Sequence, residues 1–237
     1  MKRALWMGCV MLAAVFALPF LANAARTEQS AVTPEKGNDA RQKQFIERGK
    51  DKNIKLVFLG DSITDFWMNR GKKVWDEYYT KYDAADFGVS GEHTEHVLGR
   101  IDHGLLDDVR PKVVVIMIGT NNIGHYADEK PEWVAEGVKK IVETVHQKLP
   151  EAKVLLLGVF PRDGKDSSSR KKVEEINAII SKLDDGKTTR YLDIGSKFLD
   201  EKGELPKDIM PDKLHPTEKG YKIWAEAMQP LLDEMMK

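Results

Sequence analysis

The stretch "VFLGDSIT" (residues 57–64) closes an apolar run and delivers a serine immediately beyond it. With Ile54 to Leu56 ahead of it, the run is apolar nearly throughout rather than at every second position, the pattern of a strand buried on both faces. Four further runs have the same character: "AADFG" (84–88), "VVVIMIG" (113–119), "KVLLLGV" (153–159) and "TRYLDI" (189–194). Helical periodicity fills the intervals. From Pro131 onward, Val134, Val138, Ile141, Val145 and Leu149 share one face until Pro150 ends it. Val173, Ile176, Ile180 and Leu183 repeat the spacing, as do Trp224, Met228, Leu231 and Met235 behind an expected N-cap at Thr217. Strand–helix alternation joined by right-handed crossovers predicts an α/β fold: a three-layer α/β/α sandwich around a doubly wound, five-stranded parallel sheet. The strand order expected is the flavodoxin-like 2-1-3-4-5.

The chain has 237 residues, 41% of them hydrophobic, and a net charge of -1, which suits one globular domain and offers no basic surface for nucleic acid. Residues 1–24 have the layout of a secretory signal peptide: "MKR", the apolar run "ALWMGCVMLAAVFALPFL", then Ala22-Asn23-Ala24. Cleavage there would send the protein to the periplasm or outside the cell, with no stable membrane anchor. It would also remove Cys9, the only cysteine, and with it any disulfide or thiolate chemistry. Residues 25–50 form a polar leader, expected to be exposed with one short helix, and residues 51–237 form the main domain. Neither oligomeric state nor a protein partner can be read from these patterns.

In doubly wound sheets, ligands bind beyond the carboxyl ends of the strands where the winding reverses. Three segments meet at that edge: Ser62 after the first strand, "GVSGEHT" (88–94) after the second, and "GTNN" (119–122) after the third. A serine becomes a nucleophile only when a base takes its proton. The segment "PDKLHPTEKGY" (211–221) supplies Asp212 and His215, spaced so that the carboxylate can hold one imidazole nitrogen while the other faces Ser62. Asp61 is expected to hold the serine turn and Asp65 to favour the start of the following helix. Asn122 is read as stabilising its own loop, His93 and His96 as surface residues, Trp67 and Trp75 as rim or core, and Arg162 as a solvated loop residue on the active edge. His125 could line the pocket.

"GDSIT", "GVSGEHT", "GTNN" and "DKLH" match, in order, the four blocks of the SGNH or GDSL hydrolases, and the resemblance covers residues 54–237. "FGVSGEHTEHVLGRIDHGLL" and "LLLGVFPRDG" look nearer still to the catalytic subunits of intracellular platelet-activating-factor acetylhydrolase. The resemblance implies Ser62 as nucleophile, His215 as general base and Asp212 as its orienting carboxylate. It also implies an oxyanion hole made by the Ser62 and Gly91 N–H groups and the Asn121 amide, and it implies no cofactor and no metal. The expected activity is hydrolysis of short-chain acyl esters, acetyl above all, on a small-molecule or glycan substrate. A lysophospholipase or thioesterase for longer chains, a metallophosphoesterase and a non-catalytic carbohydrate-binding module are the competing readings. The first needs an acyl tunnel, the second several more metal ligands, and the third an inert serine.

Overall fold

In the computed structural model, which describes residues 25–237, the run that opens the domain becomes β1 (Leu56–Gly60). Its side chains alternate between two buried faces, Val57 and Leu59 to one core, Leu56 and Phe58 to the other. The chain continues through α2 (Ser62–Asp65), α3 (Lys72–Tyr78), β2 (Ala85–Gly88), α4 (Thr94–Asp102), β3 (Val113–Met117), α5 (Thr120–His125) and α6 (Pro131–Lys148). It ends with β4 (Lys153–Leu157), α7 (Ser168–Ile180), β5 (Thr189–Leu192) and α8 (Glu218–Met235), while α1 (Asp39–Gly49) precedes the sheet. The five strands lie in the order β2-β1-β3-β4-β5, all parallel, as the alternation predicted.

Each face has its own core. α4, α6 and α7 cover the first with aliphatic side chains, and Phe45 of α1 joins them. The second face is covered by α3 and α8 and is aromatic: Phe58, Trp67, Trp75, Tyr79, Tyr221 and Trp224 pack together. Trp67 and Trp75 therefore belong to the core rather than the rim. Thr217 caps α8 as expected, its hydroxyl accepting from the Gly220 N–H at 3.3 Å.

The leader is largely exposed and carries one helix, α1, capped by the Asn38 side chain, as expected, but a few of the residues before it are pinned to the domain. Ala31 is fully buried and its carbonyl accepts from the Thr94 hydroxyl at 2.9 Å, while the Glu35 N–H donates to the Glu95 carbonyl at 3.0 Å. Backbone polar groups buried against the domain need partners, and α4 supplies them. The signal-peptide reading falls on residues 1–24, which lie outside the described residues.

Candidate active site

β1 ends at Gly60, and the next two residues set the nucleophile. Asp61 caps α2, its Oδ1 accepting the Ile63 N–H at 2.9 Å. That is the turn-holding role expected of it. The residue is fully buried, and burial pushes its carboxyl up to about 7, against the Ile63 hydrogen bond and the charges of Arg162 and His93. Ser62 is the first residue of the helix, and its Oγ lies 2.9 Å from His215 Nε2. Asp65 supports the same turn from outside, pairing with Arg41 at 2.7 Å and accepting from the Ser90 hydroxyl at 2.8 Å.

The loop before α8 brings in the imidazole. Asp212 Oδ2 lies 2.7 Å from His215 Nδ1, and its Oδ1 accepts the backbone N–H groups of His215 at 2.8 Å and Leu214 at 3.1 Å. Partial burial alone would raise the Asp212 carboxyl, but the His215 backbone N–H and imidazole outweigh it and hold the group below its ordinary value. An ionised Asp212 accepts only, so His215 Nδ1 carries the proton and Nε2 turns its lone pair to the Ser62 hydroxyl. The Phe66 ring packs 5.0 Å from the imidazole and limits its rotation.

Opposite stand the donors. Gly91 has φ +82°, a left-handed conformation that only glycine adopts freely, and no other residue approaches where its side chain would be. Asn121 donates one amide hydrogen to the Glu92 carbonyl at 2.9 Å, which fixes the amide plane and leaves its second N–H free. Among the described residues neither the Ser62 nor the Gly91 N–H has an acceptor. The strand order puts all three groups at the same carboxyl edge of the sheet as the serine.

Behind them lies a buried polar scaffold that sequence reasoning missed. Asn122 does not bond its own loop; its Oδ1 accepts from the Thr94 N–H at 3.1 Å and its Nδ2 donates to Glu95 Oε2 at 3.1 Å, tying α5 to α4. His93 is buried rather than on the surface, 2.8 Å from His125 Nδ1 through its Nε2 and 3.4 Å from Glu95 Oε1 through its Nδ1. The half-buried His96 accepts the His93 backbone N–H at 3.0 Å and stacks on its ring. Arg26, from the leader, bridges Glu95 at 2.8 Å and Glu129 at 2.5 Å. Arg100 bonds the Phe87 carbonyl at 2.6 Å and pairs with Glu92 at 2.8 Å, steadying the loop that carries Gly91. Arg162 is not solvated: its Nη1 donates to the Thr120 carbonyl at 2.7 Å, next to Asn121. The signal available in the sequence was the density of polar residues in "GEHTEH", too high for a mere turn on a buried edge.

A family model for GDSL-like lipases and acylhydrolases matches residues 58–223, a span that contains Ser62, Gly91, Asn121, Asp212 and His215. The chain belongs to this family. Among curated GDSL relatives, subunit alpha1 of human platelet-activating factor acetylhydrolase IB is 34% identical over 190 residues, 80% of each chain. Subunit alpha2 from Rattus norvegicus is 32% identical over 199 residues, covering 84% of this chain and 83% of its own. Solved structures share the fold. A GDSL-like lipase from Bacteroides thetaiotaomicron superposes with a TM-score of 0.69 at 20% identity, over 82% of this chain and 98% of its own. An acetylxylan esterase from Geobacillus stearothermophilus gives 0.61 at 18% identity, over 79% and 96%. As a GDSL acylhydrolase, the protein is a hydrolase of esters.

Proposed function

We propose that this acylhydrolase is an exported serine esterase that removes short acyl groups, acetyl first among them, from carbohydrate hydroxyls. The observation that carries the chemistry is the continuous chain Asp212–His215–Ser62 at the carboxyl edge of the sheet. In the proposed mechanism His215 Nε2 takes the Ser62 proton as Oγ attacks the ester carbonyl. The Ser62 and Gly91 N–H groups and the Asn121 amide receive the oxyanion, and Asp212 stabilises the imidazolium. His215 then returns the proton to the departing alcohol, and a water deprotonated by the same nitrogen releases the acid from the acyl-enzyme. No step calls for a cofactor.

The preference for short acyl groups is the part of this reading that a chain-length series tests directly. Each methylene fitted into a real tunnel would add about 0.8 kcal/mol of binding. The names of the human and Geobacillus relatives both specify acetyl esters. A p-nitrophenyl ester series tests the reading: kcat/KM should peak at acetyl or propionyl and fall clearly by octanoyl. A steady climb to octanoyl would move the function to lysophospholipase or thioesterase. Acetylated xylooligosaccharides assayed beside an acetylated phospholipid separate the two alcohol classes. Export rests on the layout of residues 1–24, and N-terminal sequencing of protein recovered outside the cytoplasm should begin at Ala25.

A further inference from the structure

We infer that Arg26 is a positioning residue for the oxyanion side of the site: reaching in from the leader, it clamps the first turn of α4 to the segment that follows α5 and so sets the aim of the Asn121 amide. The inference rests on the proposed role of Asn121 as an oxyanion donor, and it follows from two ties that cross the same gap.

The first tie is the Asn121 amide itself. Asn121 sits on α5, and the carbonyl that takes one of its hydrogens belongs to Glu92, in the loop that leads into α4. The direction of its second N–H therefore depends on how α5 stands against the start of α4. Arg26 is the second tie. Its Nη1 pairs with Glu95 Oε1 at 2.8 Å, in the first turn of α4, and its Nε donates to Glu129 Oε2 at 2.5 Å, in the link between α5 and α6. Its backbone N–H donates to Asp128 Oδ2 at 3.1 Å, and the guanidinium lies 4.3 Å from the ring centre of Tyr126, the residue that closes α5.

One carboxylate joins Arg26 to α5. Glu95 takes the guanidinium on Oε1 and the Asn122 amide on Oε2 at 3.1 Å, so Arg26 acts one side chain away from the neighbour of Asn121. Glu95 and Glu129 are buried, and among the described residues no other lysine or arginine pairs with either. A guanidinium suits this task because its planar fork offers separate N–H groups to two acceptors, where an ammonium is a single point charge. Without it, two carboxylates are left buried and uncompensated, and their repulsion works against the closure of α4 on the link after α5. The leader is seated to hold Arg26 there. The Glu35 N–H donates to the Glu95 carbonyl at 3.0 Å, and the Ala31 carbonyl accepts from the Thr94 hydroxyl at 2.9 Å. Glycines admit its backbone: a Cβ on Gly99 of α4 would overlap the Glu35 carbonyl, and one on Gly137 of α6 would come within 2.6 Å of the Ala31 carbonyl.

A double-mutant cycle on the purified enzyme tests this with p-nitrophenyl acetate. Arg26→Ala should lower kcat about 10-fold with KM within about 2-fold, because a misaimed donor is missed chiefly in the transition state. Arg26→Lys keeps the charge but not the fork and should lose only about 3-fold. In the Asn121→Ala background, where no amide is left to aim, either change should cost less than about 2-fold further. A merely structural ion pair would cost the same kcat in both backgrounds. That outcome, an unchanged kcat in Arg26→Ala, or a loss confined to KM would overturn the inference. If Arg26→Ala fails to fold, the cycle with Arg26→Lys decides by the same comparison. Wild-type kcat in Asn121→Ala alone would instead discard the donor role of Asn121, and this inference with it.

Discussion

The two sides of the serine are built in opposite ways. On the base side, Asp212 and His215 sit in one exposed loop, three residues apart, held almost wholly by contacts within that loop. On the oxyanion side, Glu92, His93, Thr94, Glu95, Asn121 and Asn122 are all 5% exposed or less and draw on four distant parts of the chain, including Arg26 and Arg100. The difference follows from what each side must do. An imidazole that takes and returns a proton needs a partner and some freedom, which a short loop supplies. Donors that stabilise a transient charge must already point at it, because reorienting them during the reaction would cost what they contribute. Preorganisation of that kind calls for a rigid, buried frame.

The largest test of the contrast is on the base side. Ser62→Ala or His215→Ala should each lower kcat by about 10³-fold or more, with the double variant little worse, because the two act as a unit. Asp212→Asn should lose less than either, since the nucleophile and base remain. Stopped-flow or steady-state rates on p-nitrophenyl acetate decide it, and additive losses would break the pairing. Next comes Asn121→Ala, which removes one fixed donor and should cost roughly 10²–10³ in kcat with a much smaller change in KM.

Its neighbour sharpens the point. Asn122→Ala should leave kcat far less affected but lower the unfolding free energy by about 1–3 kcal/mol, because the buried Thr94 N–H loses its acceptor. Denaturant titration measures this, and a kcat loss larger than that of Asn121→Ala would reverse the roles of the two amides. The smallest effect concerns Asp61. Its carboxyl ionises near about 3.9 in an unfolded chain but keeps its proton to about 7 in the fold. The folded state therefore binds more protons between those values, and stability from this group declines as pH rises through that window. Asp61→Asn keeps the Oδ1 acceptor without the titration. Its Tm advantage over the wild type should grow steadily from pH 4 to pH 8, and a constant difference would place the carboxyl outside this window.

The same contrast explains what could be read in advance. Strands announce themselves by runs of Val, Ile and Leu, and once five parallel strands are granted, the edge that carries Ser62, Gly91 and Asn121 follows from the winding. The Asp212–His215 spacing is local, so it too was visible. Arg26 reaching Glu95 and Glu129, or Asn122 reaching Thr94, are pairings between segments with no mutual signal in their spacing. A polar leader looks the same in a sequence whether it is solvated or docked. What decides between the two is the set of acceptors on α4 and in the loop before α6, which exists only after folding. His93 was read as a surface residue because the polar density of "GEHTEH" marks a crowded edge without saying which of its side chains turn inward.

The aromatic core has a spectroscopic consequence. Trp67, Trp75 and Trp224 are buried together, with Trp67 4.9 Å from Trp224 and 5.9 Å from Trp75 between ring centroids, and all of them lie on the α3 and α8 face. Indoles this close couple their excited states, so the near-ultraviolet dichroism and the emission of the native protein are dominated by one half of the sandwich. On the aliphatic half, to which the leader is strapped, the described tryptophan is Trp133 of α6, half-buried and apart from that cluster. Loss of the indole signal during denaturation therefore times the release of α8, the helix that follows His215, and an amide-exchange or infrared probe is needed to see the oxyanion frame open.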